Sequence, residues 1–362
     1  MDIIPFVHEG LGNSSYLVGL GNGDAVLCAP DRTAARYFRA AEDNGWRIVA
    51  AFETHIHADF VTGAPEVIHA TGAAIYDSDG APLAYAHKGL KHGDRITLDG
   101  AEVEVVASPG HTPEHVSYVL RTAGGPPSLF SGGALTAGAA ARTDLVSPDL
   151  TETLTRSQFR TIKGAFNGLP DETRLFPTHG AGSFCAAGSP GERTSTLGRE
   201  RSSNPLLLHD NEDEFTRWFP TTFPAIPAYF AHMRAVNEAG PRLRRELPMP
   251  RTLPPEEFRE TAKNALVVDV RSVEEYVKSH IPGSLSVAFR SSYATWLGWL
   301  VPLGTPLLFV LPSVGRGPSP GLLESVIDES LLIGQERFAG WLEGGVEAWK
   351  SAGLPAVSMQ MV

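Results

Sequence analysis

Short apolar runs broken by turn-forming residues set the pattern of this chain, and no single period is sustained for long. Residues 15–18 and 25–28 read as strands, and 34–43 space their apolar positions as a helix does. Residues 48–52 form an apolar run that enters Thr54-His55-Ile56-His57. Residues 102–107 alternate like a strand and enter Ser108-Pro109-Gly110-His111. After strands predicted at 117–120 and 129–131, residues 175–177 enter Thr178-His179-Gly180. Three times, an apolar strand delivers a histidine to the turn that follows it. In α/β proteins, ligand sites gather at such strand ends.

A second α/β pattern opens at residues 265–270, an apolar run suited to a buried parallel strand. A short acidic helix is predicted at 273–278, then the turn His280-Ile281-Pro282-Gly283, a strand at 307–311 and a helix at 344–351. Between the two patterns, residues 247–258 carry Pro248, Pro250, Pro254 and Pro255, which favours an extended connector. The expected organisation is a domain over 1–246, a proline-rich linker over 247–258 and a smaller domain over 259–362.

Composition narrows the function classes. The 362 residues carry 30 Lys and Arg against 41 Asp and Glu, a formal charge of −11. That excess argues against a nucleic-acid or anionic-membrane surface. No run approaches the roughly 20 apolar residues of a membrane span, and Met1-Asp2-Ile3-Ile4-Pro5 lacks a signal-peptide pattern. A cytoplasmic location is expected. Two cysteines, Cys28 and Cys185, exclude a disulfide scaffold and a cysteine-rich zinc module.

The chemistry therefore rests on the 12 histidines. His55-x-His57-x-Asp59 puts three metal-ligating groups in five residues, and alternation along an extended segment turns them to one side. His111 and His179 stand at two other strand ends, and His115 is placed to support the site. Neutral imidazole suits iron, zinc, copper or nickel. A lone histidine is more often a hydrogen-bonded core or surface group, but burying this cluster without a cation would be costly.

Three strings then carry a family resemblance. Glu53-Thr54-His55-Ile56-His57-Ala58-Asp59-Phe60-Val61-Thr62-Gly63 resembles the signature loop of the metallo-β-lactamase superfamily. The segments from Ser108 to His115 and from Phe176 to Ser183 are similar to its second and third histidine loops. The persulfide dioxygenase branch fused to a rhodanese domain is the most similar in these strings, with Arg142-Thr143-Asp144-Leu145 adding to the match. The resemblance implies an αββα sandwich followed by a small α/β rhodanese-like domain. It implies a non-haem Fe(2+) site that oxidises a low-molecular-weight thiol persulfide, glutathione-like or coenzyme-like, to sulfite and thiol with dioxygen. Zn(2+) is the alternative metal. Phe60 stands where the dinuclear, hydrolytic branches carry another histidine.

The same comparison exposes two breaks. The branch holds its metal with the counterparts of His55 and His111 and an aspartate, but Phe130-Ser131-Gly132-Gly133-Ala134-Leu135 has Gly133 in the aspartate's place. Either His57 completes a three-histidine face with His55 and His111, or an external anion or substrate sulfur fills the vacated position, or the site holds no metal and the protein is a binding scaffold. Asp59 and His179 are then supporting or alternative ligands, and Gly133→Asp is expected to raise iron occupancy. Arg142 and Asp144 fall near the implied substrate pocket, where an arginine can clamp a carboxylate or form a structural ion pair. In the second domain the loop Leu311-Pro312-Ser313-Val314-Gly315-Arg316-Gly317 has no cysteine to carry a sulfane sulfur. Pro312, Ser313, Gly315 and Arg316 thus form a degenerate rhodanese loop, and no sulfurtransferase activity is expected. Packing, substrate shaping or homodimer formation is left to that domain.

Overall fold

A computed structural model describes residues 1–186, 191–314 and 317–360. The chain divides into two compact units, Met1–Pro241 and Arg242–Val362.

The first unit contains two six-stranded sheets. One runs in sequence order through Asp2–His8, Asn13–Gly19, Asp24–Cys28, Arg47–Phe52, Ala74–Ser78 and Lys88–Leu90, antiparallel at first and parallel from Asp24–Cys28 onward. The other is ordered Ser195–Thr196, Arg174–Pro177, Ser128–Gly132, Val116–Thr122, Ala101–Ala107 and Arg95–Leu98. Inner-face residues Val18, Val26, Phe52, Val103, Tyr118 and Phe130 belong to one buried cluster between the sheets. The helices Ala35–Asp43 and Ala64–Thr71 cover the outer face of the first sheet, burying Tyr37, Ala41, Ala64 and Val67. The helices Thr151–Arg160 and Glu212–Trp218 cover the second, burying Phe159 and Phe215. Two sheets between helical layers make the expected αββα sandwich. Strands of the first sheet read as near-continuous apolar runs because both of their faces are covered.

The second unit has a five-stranded parallel sheet, ordered Thr252–Leu253, Phe338–Leu342, Leu307–Val310, Leu266–Asp269, Leu285–Ser286. Its core gathers Phe258, Val267, Leu308, Val310, Val346 and Trp349. The proline-rich stretch differs from the expected free linker. Thr252–Leu253 pairs with Trp341 and Leu342 as an edge strand, and Pro255–Thr261 is a helix that buries Phe258. The prolines fit this arrangement, since Pro250 and Pro254 stand outside the two-residue strand and Pro255 opens the helix where its missing N–H is not needed. Compaction therefore separates the units at Pro241 and Arg242, ahead of residues 247–258.

Candidate metal centre

Four chain segments converge at one end of the sandwich, held by backbone bonds rather than by side chains alone. Val116 N–H donates to Thr54 O at 2.8 Å, Thr178 N–H to Gly132 O at 3.0 Å, and Ser14 N–H to Thr178 O at 2.7 Å. These bonds draw together the loops that follow the strands ending at Phe52, Ala107, Gly132 and Pro177.

His55, His57, Asp59, His111, His115 and His179 are all buried there. The rings of His55 and His111 have centroids 4.8 Å apart, and each lies 5.2 Å from His179. His55, His111 and His179 form one group whose ligand atoms lie within 4.8 Å of one another, and His57, Asp59 and His179 form a second. The three-histidine face is thus built with His179, from the third loop, in place of the expected His57. His57 belongs to the second group: its ring lies 4.3 Å from that of His55, its Nε2 lies 3.3 Å from Glu53 Oε2, its Nδ1 has no hydrogen-bond partner, and it stacks on Phe60 at 4.0 Å between centroids. Sequence spacing understated His179 because its approach depends on strand pairing across 124 residues of chain.

Each ring is aimed by a partner. His111 Nδ1–H donates to the Arg142 carbonyl at 2.6 Å, which fixes the tautomer and leaves Nε2 a lone pair. That Nε2 is buried with no hydrogen-bond partner. His55 Nδ1 lies 2.9 Å from Thr54 Oγ1, and its Nε2 faces His179 Nε2 at 3.2 Å. His115 Nε2 accepts from Gly133 N–H at 2.9 Å while its Nδ1 contacts Ser108 Oγ, so it fixes backbone and does not join either ligand group.

Burial keeps His55, His57, His111 and His115 neutral. Burial, then neighbouring histidines, holds His55 well below the usual imidazole range. Burial pushes His57 and His111 down to about 3. Burial alone would raise Asp59, but His179 beside it, with His57 and His111, holds its carboxyl below the ordinary value. Asp59 Oδ2 is 3.2 Å from His179 Nδ1, yet neither of its oxygens has an aligned hydrogen-bond donor.

Neutral imidazoles with an unpartnered lone pair, beside an unpartnered carboxylate, fit a transition-metal cation. The 3.2 Å between two facing Nε2 atoms is close to the roughly 3.3 Å expected of two imidazoles bound to one tetrahedral ion. Gly133 is another matter. A Cβ there would fall 2.6 Å from His111 Cδ2 and 2.9 Å from Ala141 Cβ. With His111 and Ala141 where they stand, the position read as vacated has no room for a Cβ. Its neighbour Gly132 has φ +56°, with His115 Nε2 and Thr54 Oγ1 where a Cβ would point.

Arg142 is also recast. It is 2% exposed, its Nε and Nη2 bond both oxygens of Asp144, and its Nη1 donates to Phe184 O and Pro224 O. With its donors engaged inside the protein, Arg142 positions His111 through its own carbonyl, and neither it nor Asp144 is free to clamp a substrate. Asn237 was not legible in the sequence. From the helix Phe230–Ala239 it donates to His57 O and Phe60 O and accepts from Thr62 N–H, pinning the signature loop, while Tyr229 Oη donates to Asp59 O. Cys185 is fully buried, and desolvation, then the Asp59 charge, keeps its thiol well above the usual range. A cleft of about 270 Å³ opens beside His111 and Thr112.

In the second unit, Pro312 follows the strand Leu307–Val310, Ser313 begins a two-residue strand, and Gly315 and Arg316 lie outside the described residues. Both cysteines belong to the first unit. Among the described residues, no helix is long and apolar enough to cross a membrane.

Fold and site together define a metallo-β-lactamase-fold protein extended by a rhodanese-like domain. The rhodanese-like domain family matches residues 255–352. Along nearly the whole chain, the structure is similar to a metallo-beta-lactamase from Staphylococcus aureus, with TM-score 0.81 and 29% identity over 95% of this chain and 99% of that one. A hydroxyacylglutathione hydrolase of Xanthomonas campestris is 36% identical over 34% of this chain and 46% of its own length. The mitochondrial persulfide dioxygenase ETHE1 of Homo sapiens is 29% identical over 55% of this chain and 73% of its own length. The chain thus spans about half the length of the first curated relatives it matches.

Proposed function

We propose that the first unit is a mononuclear metalloenzyme of sulfur metabolism that oxidises a low-molecular-weight thiol persulfide, with iron as its metal and zinc as the alternative. The balanced reaction is RSSH + O2 + H2O → RSH + SO3(2−) + 2 H+, in which the persulfide sulfur pair loses four electrons and dioxygen gains them. The observation that carries the reading is the buried, tautomer-locked lone pair of His111 facing His55 and His179, with Phe60 stacked on His57 beside it. Phe60 fills the flank of the second ligand group with a ring that cannot coordinate. That favours a single ion over the two-metal chemistry of thioester hydrolysis, the activity that the hydroxyacylglutathione hydrolase relatives suggest. A rhodanese-like domain in the same chain supports a sulfur substrate.

When bound, the metal would supply open coordination positions where a sulfur anion and dioxygen can meet. The protein does the rest. His55, His111 and His179 would hold the ion, the Arg142 carbonyl keeps the His111 proton on Nδ1, and Asp59 supplies a negative charge beside His179. Ile56 and Ala58 wall the approach with apolar surface and limit water. The second unit, with no cysteine, does not take part in covalent sulfur transfer.

The test combines metal analysis with an oxygen electrode. Protein purified without chelator is expected to carry near one equivalent of metal and, with iron and a thiol persulfide, to consume oxygen and release sulfite one for one. A fully iron-loaded protein that consumes no oxygen with any thiol persulfide would overturn the reading. A chain with no metal affinity would leave the scaffold alternative.

A further inference from the structure

The helix Thr151–Arg160 turns Leu154 and Phe159 into the core of the second sheet, yet one side of it is polar. Thr155, Gln158 and Thr161 recur every third residue, so they follow one another along that side, and all three are buried. Each reaches a different segment of the metal centre. Thr161 Oγ1 donates to Pro109 O at 2.7 Å, two residues before His111. Gln158 Nε2 donates to Ala134 O, next to Gly133. Thr155 gives its own proton to Thr151 O, so Thr143 Oγ1 donates to Thr155 Oγ1 at 2.6 Å. Thr143 follows Arg142, whose carbonyl holds the His111 Nδ1–H. Gly110 seats the His111 loop on the helix itself: a Cβ there would fall 2.5 Å from Gln158 Cα, and its φ of +150° is one that side chains rarely adopt. At Thr161 the helix passes into a π-helical turn, Thr161–Ala165, a rare element that is frequent at functional sites.

Resting on the metal-centre reading above, we infer that this stripe is a polar brace that aims the ligand His111, with Thr161, Gln158 and Thr155 as positioning residues outside the ligand groups. An apolar stripe would pack against the sheet without the cost of burying polar groups. A hydroxyl or amide bonded to a carbonyl fixes direction as well as distance. The brace fixes the backbone before His111 at Pro109 and, through Thr143, the carbonyl that orients the ring. It thereby holds the His111 Nε2 lone pair where one cation can meet it together with His55 and His179.

The experiment is competition for Co(II) between a chromophoric chelator and the full chain, with the melting temperature of the metal-free protein measured in parallel. Thr161→Val keeps the side chain's shape and removes its donor. It is expected to weaken Co(II) binding by about tenfold, the lower end of the losses seen when a ligand's support is removed, and Thr161→Ser to restore it. Gln158→Met should act in the same direction, whereas Thr153→Val, the same change on the exposed side of the helix, should bind as the unaltered chain does. The proton resonance of His111 Nδ1–H, identified by its absence in His111→Ala, should shift in Thr161→Val and return in Thr161→Ser. Unaltered affinity in both Thr161→Val and Gln158→Met, whatever their melting temperatures, would make the stripe a structural element and overturn the inference alone. A loss of affinity with the His111 resonance unmoved would also overturn it. An unaltered chain that binds no Co(II) would overturn the metal-centre reading, and the inference with it.

Discussion

Gly133→Ala tests whether the metal centre has an unfilled ligand position or a closed one. The added Cβ would stand 2.6 Å from His111 Cδ2, 3.0 Å from His111 Cγ and 2.9 Å from Ala141 Cβ, all inside ordinary contact. His111 cannot simply rotate away, because its Nδ1–H is tied to the Arg142 carbonyl at 2.6 Å and Arg142 is fixed by Asp144, Phe184 and Pro224. Overpacking of this kind costs about 1–3 kcal/mol. At about 2–4 °C per kcal/mol for a unit of this size, the melting temperature of the metal-free protein should fall by roughly 2–12 °C. Displacing the His111 ring should also weaken metal binding by about 10–100-fold, the scale seen when a ligand's support is lost. Thermal unfolding followed by circular dichroism gives the first quantity, and competition with a fluorescent chelator the second. Gly133→Asp meets the same ring, so it should lower metal occupancy, opposite to the expectation from sequence. A Gly133→Asp protein that keeps its melting temperature and binds more metal would refute the packing argument.

Other outcomes follow from the same geometry. His179→Ala should reduce bound metal at least as much as His55→Ala, and more than His57→Ala, by elemental analysis of purified variants; the reverse order would return His57 to the centre. Asn237→Ala removes three hydrogen bonds to the signature loop and leaves buried groups unpaired, so a loss of about 2–4 kcal/mol in denaturant unfolding is expected. In the metal-free protein, His57 and His111 are neutral down to about 3 in the fold but protonate near the ordinary imidazole value when unfolded. The unfolded state therefore binds more protons between these limits, and stability falls as pH drops below about 6.5, at up to about 1.4 kcal/mol per pH unit for each ring. Glu53, pushed by burial up to about 8, works the other way. Its contribution is present at low pH and lost as pH rises from its unfolded value through about 8, so the acid limb belongs to the histidines. A flat unfolding profile below pH 6.5 would contradict neutral burial of those rings. Finally, thiosulfate with cyanide should give no thiocyanate, because the second unit lacks a thiol to carry sulfur; a measurable rate would require another nucleophile.

The sequence by itself determined the layered α/β plan, since the short segments at residues 48–52, 102–107 and 175–177 have the length and pattern of strands, and each leads into a histidine turn. It also determined what the chain lacks: a carboxylate at 133, a histidine at 60 and a cysteine after residue 185. Tertiary structure alone decided which imidazoles meet. His179 reaches His55 through pairing across 124 residues, while His57, two residues from His55, is turned toward Glu53. It alone decided that Gly133 is filled space, that Arg142 looks inward and that Asn237 pins the signature loop. Local pattern fixes which residues want to be buried, because that depends on each side chain and its period. Ligand convergence, cavity filling and donor satisfaction depend on atoms far apart in the chain, and those are set only when the sheets pack.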